Sequence, residues 1–397
     1  MNSSSHIRLS SNLWFLIFST GFALFAMFFG SGNLVFPLLI GQAVGDHYGY
    51  AIAGLVLTGV LIPFLGLLGT LLFEGSVELF FGNLGKKVAL ILSFLILSLL
   101  GPFGVVPRCI AVAWGSFTEV FSSCPGFFFN ALSCGVIFIF SSTYRRMIPL
   151  IGSFLTPILL ISVAFIVVLG VLKGVPPTPT SFSIPEAFQN GIVNGYQTMD
   201  LLAAFFFSQA AILHIRFRLR AHNLPEEKLS SLELKVAFFA SLIGAFLLAL
   251  VYIAFVYLGA SYQGNLVNIP AEKLLITIAS FSLGAYAKPV VSIAVILACL
   301  TTAIALTTAF AKFMQEQLTL NRLGFKTCTA ITLVIAFFIA ALEFQGISKF
   351  LAPILTVLYP GLIVLTLFNI FQKLFNFQLS RVVLFIMVGS AMFIALK

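Results

Sequence analysis

The chain has 397 residues, of which 60% are apolar and only 8% charged, with 21 Lys and Arg against 12 Asp and Glu. A water-soluble domain carries about a quarter charged residues, so this composition cannot cover a globule of this size with polar surface. It excludes a soluble enzyme, a nucleic-acid-binding protein and a disordered chain, and a mean hydropathy of +1.13 points to the lipid bilayer as solvent.

At about 20 residues per span, the apolar content serves eleven helices. The charge-poor runs place their cores near 13–40, 49–72, 87–110, 125–143, 148–172, 188–214, 233–258, 288–312, 327–342, 347–371 and 379–396. These runs are continuous, whereas a membrane barrel would show short alternating segments of about ten residues. The predicted fold is an all-α membrane protein of 11 transmembrane helices, 12 at most, forming a single transmembrane domain over 1–397. Orientation follows from Lys and Arg alone. With the N-terminus in the cytoplasm, only Arg108, Lys173, Lys273, Lys288, Lys349 and Lys397 fall on the far side, and the other fifteen of the 21 lie on the cytoplasmic side. The net charge of +9 is therefore topological and calls for no nucleic acid. Residues 1–11 lack a signal-peptide cleavage pattern and read as the lead into the first span. The five cysteines have no CxxC or CxxH spacing and read as small apolar residues, with no disulfide and no thiolate metal site.

Two spans carry signs of interruption. The first contains Gly30-Ser31-Gly32-Asn33 followed by Pro37, inside a run without charge. Unwound backbone is tolerated in hydrocarbon only where protein buries it or a cavity receives it. The same glycines also serve close helix packing, although packing requires neither the asparagine nor the proline. The sixth span contains Asn190, Gly191, Asn194, Gly195, Tyr196, Gln197, Thr198, Met199 and Asp200. Asp200 is the one acidic residue near the middle of a span, and an ionisable group at that depth is a functional candidate. A packing carboxyl kept protonated, or a cap on a half-helix, remains a second reading of the same residue.

Under the charge-derived topology these spans run in opposite directions. Five spans over 13–172 and five over 188–371 are then related by inversion, leaving 379–396 as an additional peripheral helix. Paired, broken, antiparallel helices mark a midplane transport site. Half-helix N-termini are positive and hold a carboxylate, while freed carbonyls hold a cation. An amino acid zwitterion with Na⁺ meets both demands. The eighth span adds Thr301, Thr302, Thr307 and Thr308 at similar depth. Their hydroxyls suit a hard cation, and they also suit back-bonding to their own helix.

The runs G-F-A-L-F-A-M-F-F-G-S-G-N-L-V-F-P (21–37), G-Q-A-V-G-D (41–46), G-P-F-G-V-V-P-R (101–108), N-G-Y-Q-T-M-D-L-L-A-A (194–204), C-L-T-T-A-I-A-L-T-T-A-F-A (299–311) and L-A-P-I-L-T-V-L-Y-P (351–360) resemble the bacterial branched-chain amino acid:cation symporters. The resemblance implies import of leucine, isoleucine and valine through the inner membrane with Na⁺, H⁺ being the alternative coupling ion, on a five-plus-five inverted repeat of the leucine-transporter-like fold. Carried over, it implies that backbone around Gly30, Ser31 and Gly32 holds the substrate carboxylate. Tyr196, Thr198 and Asp200 then face the substrate. Asn33 sits near a cation, and a second cation site draws on carbonyls of Ala26, Phe29 and Ala298 with the hydroxyls of Thr301 and Thr302. Relatives in that family have twelve spans.

Arg108 reads as an outer interfacial residue that snorkels to the headgroups, or as a gate residue pairing Asp46 or another outer carboxylate. Phe22, Phe25, Tyr196 and Phe205 are candidates for an apolar side-chain pocket. The rival functions are an intramembrane enzyme and a channel. The first needs a second deep acid or a metal-binding histidine pair, and the histidines at 6, 47, 214 and 222 lie at span ends or in loops.

Overall fold

A computed structural model of the chain describes residues 3–121, 124–141, 155–220, 226–284, 287–375, 386–390 and 392. All regular structure among the described residues is helical. By length and composition, seven helical stretches are able to cross a membrane, and three shorter apolar helices, Leu13–Phe28, Gly126–Ser141 and Phe325–Ala340, accompany them. In hydrocarbon a helix satisfies its own backbone polar groups, which is why these uncharged runs fold this way. Large apolar side chains such as Phe127, Ile161, Leu172 and Phe246 stand exposed around the outside, where lipid would meet them. The eleventh expected span, 379–396, lies mostly outside the described residues, as do Arg145, Arg146 and the start of the fifth.

The first expected span is two helices, α1 (Ser3–Phe28) and α2 (Ser31–Val44). The second is α3 (Tyr48–Val56), a π-helical turn at Leu57–Leu61 and α4 (Ile62–Leu72). A short helix α5 (Val77–Gly82) follows, capped by the Ser76 hydroxyl, which accepts from the Leu79 N–H at 3.2 Å. The third span differs from the continuous core expected at 87–110. It comprises α6 (Lys86–Leu100) and α7 (Val105–Thr118), with turns at 101–104. The reason is local, since Pro102 has no N–H to donate and glycines flank the turn. Then come α8 (Gly126–Ser141) and α9 (Thr156–Lys173).

The sixth span is again two helices, α10 (Ile184–Gln197) and α11 (Asp200–Arg220). Ser183 and Glu186 form a capping box at the start of α10, with Pro185 in its first turn. The remaining elements are α12 (Glu226–Ser261), α13 (Leu274–Leu283), α14 (Ala287–Phe313), α15 (Phe325–Ala340) and α16 (Glu343–Phe375), which accommodates Pro353 and Pro360.

The interrupted helices are held by seams of small residues. α12 packs along both α1 and α2, and α10 packs along α3, while α7 packs on α14. A Cβ on Gly41 would stand 1.9 Å from the Val256 carbonyl oxygen, and one on Gly259 would stand 2.2 Å from that of Leu38. The α3–α10 seam repeats the device: a Cβ on Gly54 would meet the Phe188 carbonyl at 2.3 Å, and one on Gly191 that of Ala51 at 2.1 Å. Each seam thus uses one glycine from each helix to bring backbones together, and van der Waals contact between them replaces the hydrophobic drive that lipid removes. Gly41→Ala is expected to lower the thermal midpoint in detergent, in line with about 1–3 kcal/mol for overpacking. Gly49→Ala, at a position with nothing within 4 Å, is expected to leave it unchanged. Equal midpoints for the two variants in a fluorescence melt would contradict the seam.

Candidate functional site

The break between α1 and α2 consists of Phe29 and Gly30. The Phe29 N–H still donates to the Phe25 carbonyl at 2.8 Å, whereas the Gly30 N–H turns to the Phe28 carbonyl at 2.8 Å and to Asn33 Oδ1 at 3.0 Å. Helical bonding resumes with Leu34 N–H on the Gly30 carbonyl at 3.1 Å. Ser31, Gly32 and Asn33 are therefore the first turn of α2, whose N–H groups have no acceptor within the helix. The break between α10 and α11 lies at Thr198 and Met199, and Met199 takes a φ of 64°, a strained value for a residue with a side chain.

The two breaks meet. Asn33 Nδ2 donates to Asp200 Oδ1 at 3.0 Å and Oδ2 at 2.9 Å, and also lies in hydrogen-bond contact with the Tyr252 hydroxyl. The Tyr252 hydroxyl in turn donates to Asp200 Oδ2 at 2.5 Å. Asp200 opens α11 and is only 2% exposed, so its carboxyl sits at a positive helix N-terminus with both oxygens engaged. One asparagine thereby links the break in the first span, through its Oδ1, to the acid at the break in the sixth, and α12 contributes the third partner.

A second cluster forms where α1 ends against α14. Thr301 Oγ1 lies 2.9 Å from both the Ala26 and the Ala298 carbonyls, and Thr302 Oγ1 lies 3.2 Å from that of Ala26. The Thr302 side chain fills the space beside Gly30, where a Cβ would come within 2.8 Å of it. Four of the five expected ligands of the second cation site thus share one buried point. The fifth, Phe29, is in the break itself, its ring buried against Phe25 and Phe255. Neutral hydroxyl and carbonyl oxygens in this arrangement suit a hard monovalent cation.

The other expected residues are placed as follows. Gly32 is wedged between Thr198 and Arg108: a Cβ there would meet Arg108 Nη2 at 2.9 Å and the Thr198 Cα at 3.1 Å. Ser31 receives the Cys109 thiol at 3.5 Å. The Thr198 hydroxyl caps its own helix through the Gly195 carbonyl at 2.8 Å. Tyr196 is helical and stacks on Tyr359 with ring centroids 4.7 Å apart. Asn33 Oδ1, the atom a cation would use, is occupied by the Gly30 N–H. Of the pocket candidates, Phe25 is buried beside the break, Phe22 is half-buried, and Phe205 packs away from it on Phe80 and Phe81.

Two residues at the site were not assigned there from the sequence. Tyr252 lies in L-V-Y-I-A-F-V-Y, where nothing distinguishes it from Tyr257. Arg108 neither snorkels nor pairs an outer carboxylate. It is 1% exposed, and Asp46 binds His47 instead. The available signal was the apolar run continuing from Cys109 to Trp114, which carries the span well past Arg108.

On one side of the breaks a cavity of about 160 Å³ is lined in part by Met27, Ser93, Phe207 and Ala305, and Gln317 Nε2 donates to Glu78 Oε1 at 2.5 Å at its rim. At the other end of α7, Glu119 takes Lys273 at 2.8 Å and Lys288 at 3.2 Å, tying three elements together.

Comparison with known proteins gives the family and the fold. Residues 15–397 match the family described as "Branched-chain amino acid transport protein". A Staphylococcus epidermidis protein, provisionally named a branched-chain amino acid carrier, is 27% identical over 376 residues, spanning 89% of this chain and 80% of the relative. One from Staphylococcus aureus, provisionally named in the same way, is 28% identical over 392 residues, spanning 92% and 83%. Among solved structures, Mhp1, a nucleobase-cation-symport-1 family transporter in a closed conformation with bromovinylhydantoin bound, superposes with a TM-score of 0.59 at 16% identity, over 88% of this chain and 77% of that one. A mutant of the Eremococcus coleocola manganese transporter gives 0.60 at 14% identity, over 96% and 86%. At such identities the structural likeness speaks to the fold alone. The family is one of membrane transporters and not of enzymes, and the chain, a multi-pass membrane protein, belongs to the branched-chain amino acid transport protein family.

Proposed function

We propose that the protein is a secondary active symporter that imports leucine, isoleucine and valine with Na⁺ by alternating access across a bacterial inner membrane, its N-terminus cytoplasmic. The observation that carries this reading is the convergence of two broken helices at Asn33 and Asp200, beside the hydroxyl and carbonyl oxygens of Ala26, Ala298, Thr301 and Thr302. The first turn of α2 offers unpaired N–H groups to a substrate carboxylate, and Asp200 or the carbonyls of the sixth-span break receive its ammonium. Na⁺ binding where Thr301 and Thr302 meet the end of α1 would fix the geometry of the break and so prepare the substrate site. Such coupling requires that the ion bind one state more tightly than the other.

The topology behind the reading is a ten-helix inverted repeat, 13–172 and 188–371, with 379–396 peripheral. Movement then consists of rocking the first, second, sixth and seventh spans against the others. The glycine seams support this division, because they join α2 to α12 and α3 to α10 within the proposed moving group.

Replacing Thr301 and Thr302 together by Ala removes both hydroxyls from the Ala26 carbonyl. Leucine uptake into proteoliposomes is expected to lose its Na⁺ stimulation, or to need at least about tenfold more Na⁺ for half-maximal rate, as removal of one or two ion-dipole contacts implies. Unchanged Na⁺ stimulation would refute the cation assignment.

The burial of Asp200 favours a second reading, H⁺ coupling through its carboxyl. Exchanging Na⁺ for choline at constant pH separates the two. On the Na⁺ reading uptake collapses in choline and an imposed pH gradient does not restore it, and Asp200→Asn retains Na⁺-stimulated uptake at a reduced rate. On the H⁺ reading the gradient restores uptake and Asp200→Asn abolishes it. Glu119 does not confuse the assay. The hydrogen bond from Lys273, aided by Lys288, holds its carboxyl below the ordinary carboxylate range against the opposing pull of partial burial, so it stays ionised from mildly acidic to neutral pH.

A further inference from the structure

Arg108 is a cation enclosed by protein, and its immediate surroundings do not neutralise it. Among the described residues no carboxylate oxygen comes within ion-pair distance of it, and the Asp200 oxygens are engaged by Asn33 and Tyr252. The guanidinium contacts are few. Nη1 donates to the Gln197 carbonyl at 3.2 Å and approaches Met199 Sδ at 3.8 Å. The rings of Phe36 and Phe344 each lie 5.0 Å from the guanidinium carbon, and their centroids are 5.8 Å apart, so they form an aromatic corner on one side of it. Nε is buried and has no hydrogen-bond partner. A buried charge left in this condition costs several kcal/mol, which aromatic faces and one carbonyl offset only in part.

The free edge has a shape. Nη1 is committed to Gln197, and the opposite edge, Nε with Nη2, is the side-on fork that matches a carboxylate with two parallel N–H···O bonds. Nη2 stands against Gly32, where a side chain would collide with it, at the first turn of α2, whose N–H groups have no acceptor within the helix. A buried arginine fork and a helix N-terminus therefore lie side by side, between the broken first and sixth spans.

We propose that the Nε–Nη2 edge of Arg108 is the receptor for the substrate α-carboxylate, acting with the start of α2. This rests on the amino acid carrier reading and adds to it a charged ligand from outside the broken helices. It also adds a consequence for coupling. Arg108 belongs to α7 of the third span, which packs on α14, whereas Gly32 and Gln197 belong to the first and sixth spans. A carboxylate held between Arg108 and α2 joins these two parts of the molecule, so binding free energy becomes available to favour their closed arrangement. An amine without a carboxylate cannot make that link.

The test compares leucine with leucinol, which keeps the ammonium and the branched side chain and lacks the carboxylate. Binding to purified full-length protein is measured by competition with labelled leucine, for wild type, Arg108→Gln and Arg108→Lys, each checked for a monodisperse elution profile. In wild type, leucinol is expected to compete at least about 30-fold less well than leucine. Arg108→Gln is expected to weaken leucine by at least about 30-fold while changing leucinol by less than about threefold, with Arg108→Lys intermediate because it keeps the charge and loses the fork. Arg108→Lys carries the same comparison if the glutamine variant does not fold. Equal weakening of both ligands, or wild-type protein that takes leucinol as readily as leucine, overturns the proposal and leaves the carrier reading intact. Wild-type protein that binds no leucine overturns the carrier reading itself.

Discussion

Every structural choice near the centre of this molecule answers to one constraint, the cost of an unpaired peptide group in hydrocarbon. Interrupting two spans at midheight frees N–H groups on one side of each break and carbonyls on the other. Asn33 is the residue that makes the interruption tolerable. Its Oδ1 takes the Gly30 N–H, and its Nδ2 holds the Asp200 carboxylate across the bundle. A single amide thus ends one broken helix and secures the other. Tyr252 completes the arrangement by hydrogen bonding to the same acid from α12. What these bonds leave without an acceptor inside the helix is the first turn of α2.

The same constraint explains the glycine seams. Lipid provides no hydrophobic drive for helices to associate, so contact area must come from close approach of backbones. Gly41 with Gly259, and Gly54 with Gly191, provide it at the end of the molecule where α2 finishes and α10 begins. The seams hold each interrupted helix against an unbroken neighbour, α2 on α12 and α10 on α3. A break can then persist without letting its half-helices drift.

The sequence made the existence of the spans legible because charge is excluded from lipid, and it made both interruptions legible because Gly30-Ser31-Gly32-Asn33 and Asn194 to Asp200 are poor helix formers in charge-free runs. It did not fix their extent. Helix α10 runs on to Gln197, so Tyr196 stacks on Tyr359 instead of standing in an unwound stretch, and only Thr198 and Met199 depart from helix. Partners were legible only where the resemblance supplied them. It grouped Ala26 with Thr301 and Thr302, a contact across more than 270 residues of chain that periodicity alone does not encode. Arg108 was placed at an interface because it lies about twenty residues into a third span read as one continuous core over 87–110, close to its outer end. The chain instead turns at 101–104 and continues, which moves the arginine from the rim to the interior.

Separating the charges has a consequence for the chemistry proposed above. Arg108 and Asp200 bring opposite charges to the site on different helices, and neither is cancelled by direct contact with the other. A zwitterion whose carboxylate and ammonium are joined through one carbon fits between such groups without adding net charge to a low-dielectric volume, whereas an anion or a cation alone leaves one protein charge uncompensated. The cluster proposed above for the cation presents only dipoles, the hydroxyls of Thr301 and Thr302 and the carbonyls of Ala26 and Ala298, and so adds no further charged side chain of its own. On the proposed reading, selectivity for a zwitterion would come from charge spacing, and the choice among branched side chains would fall to the apolar walls around it.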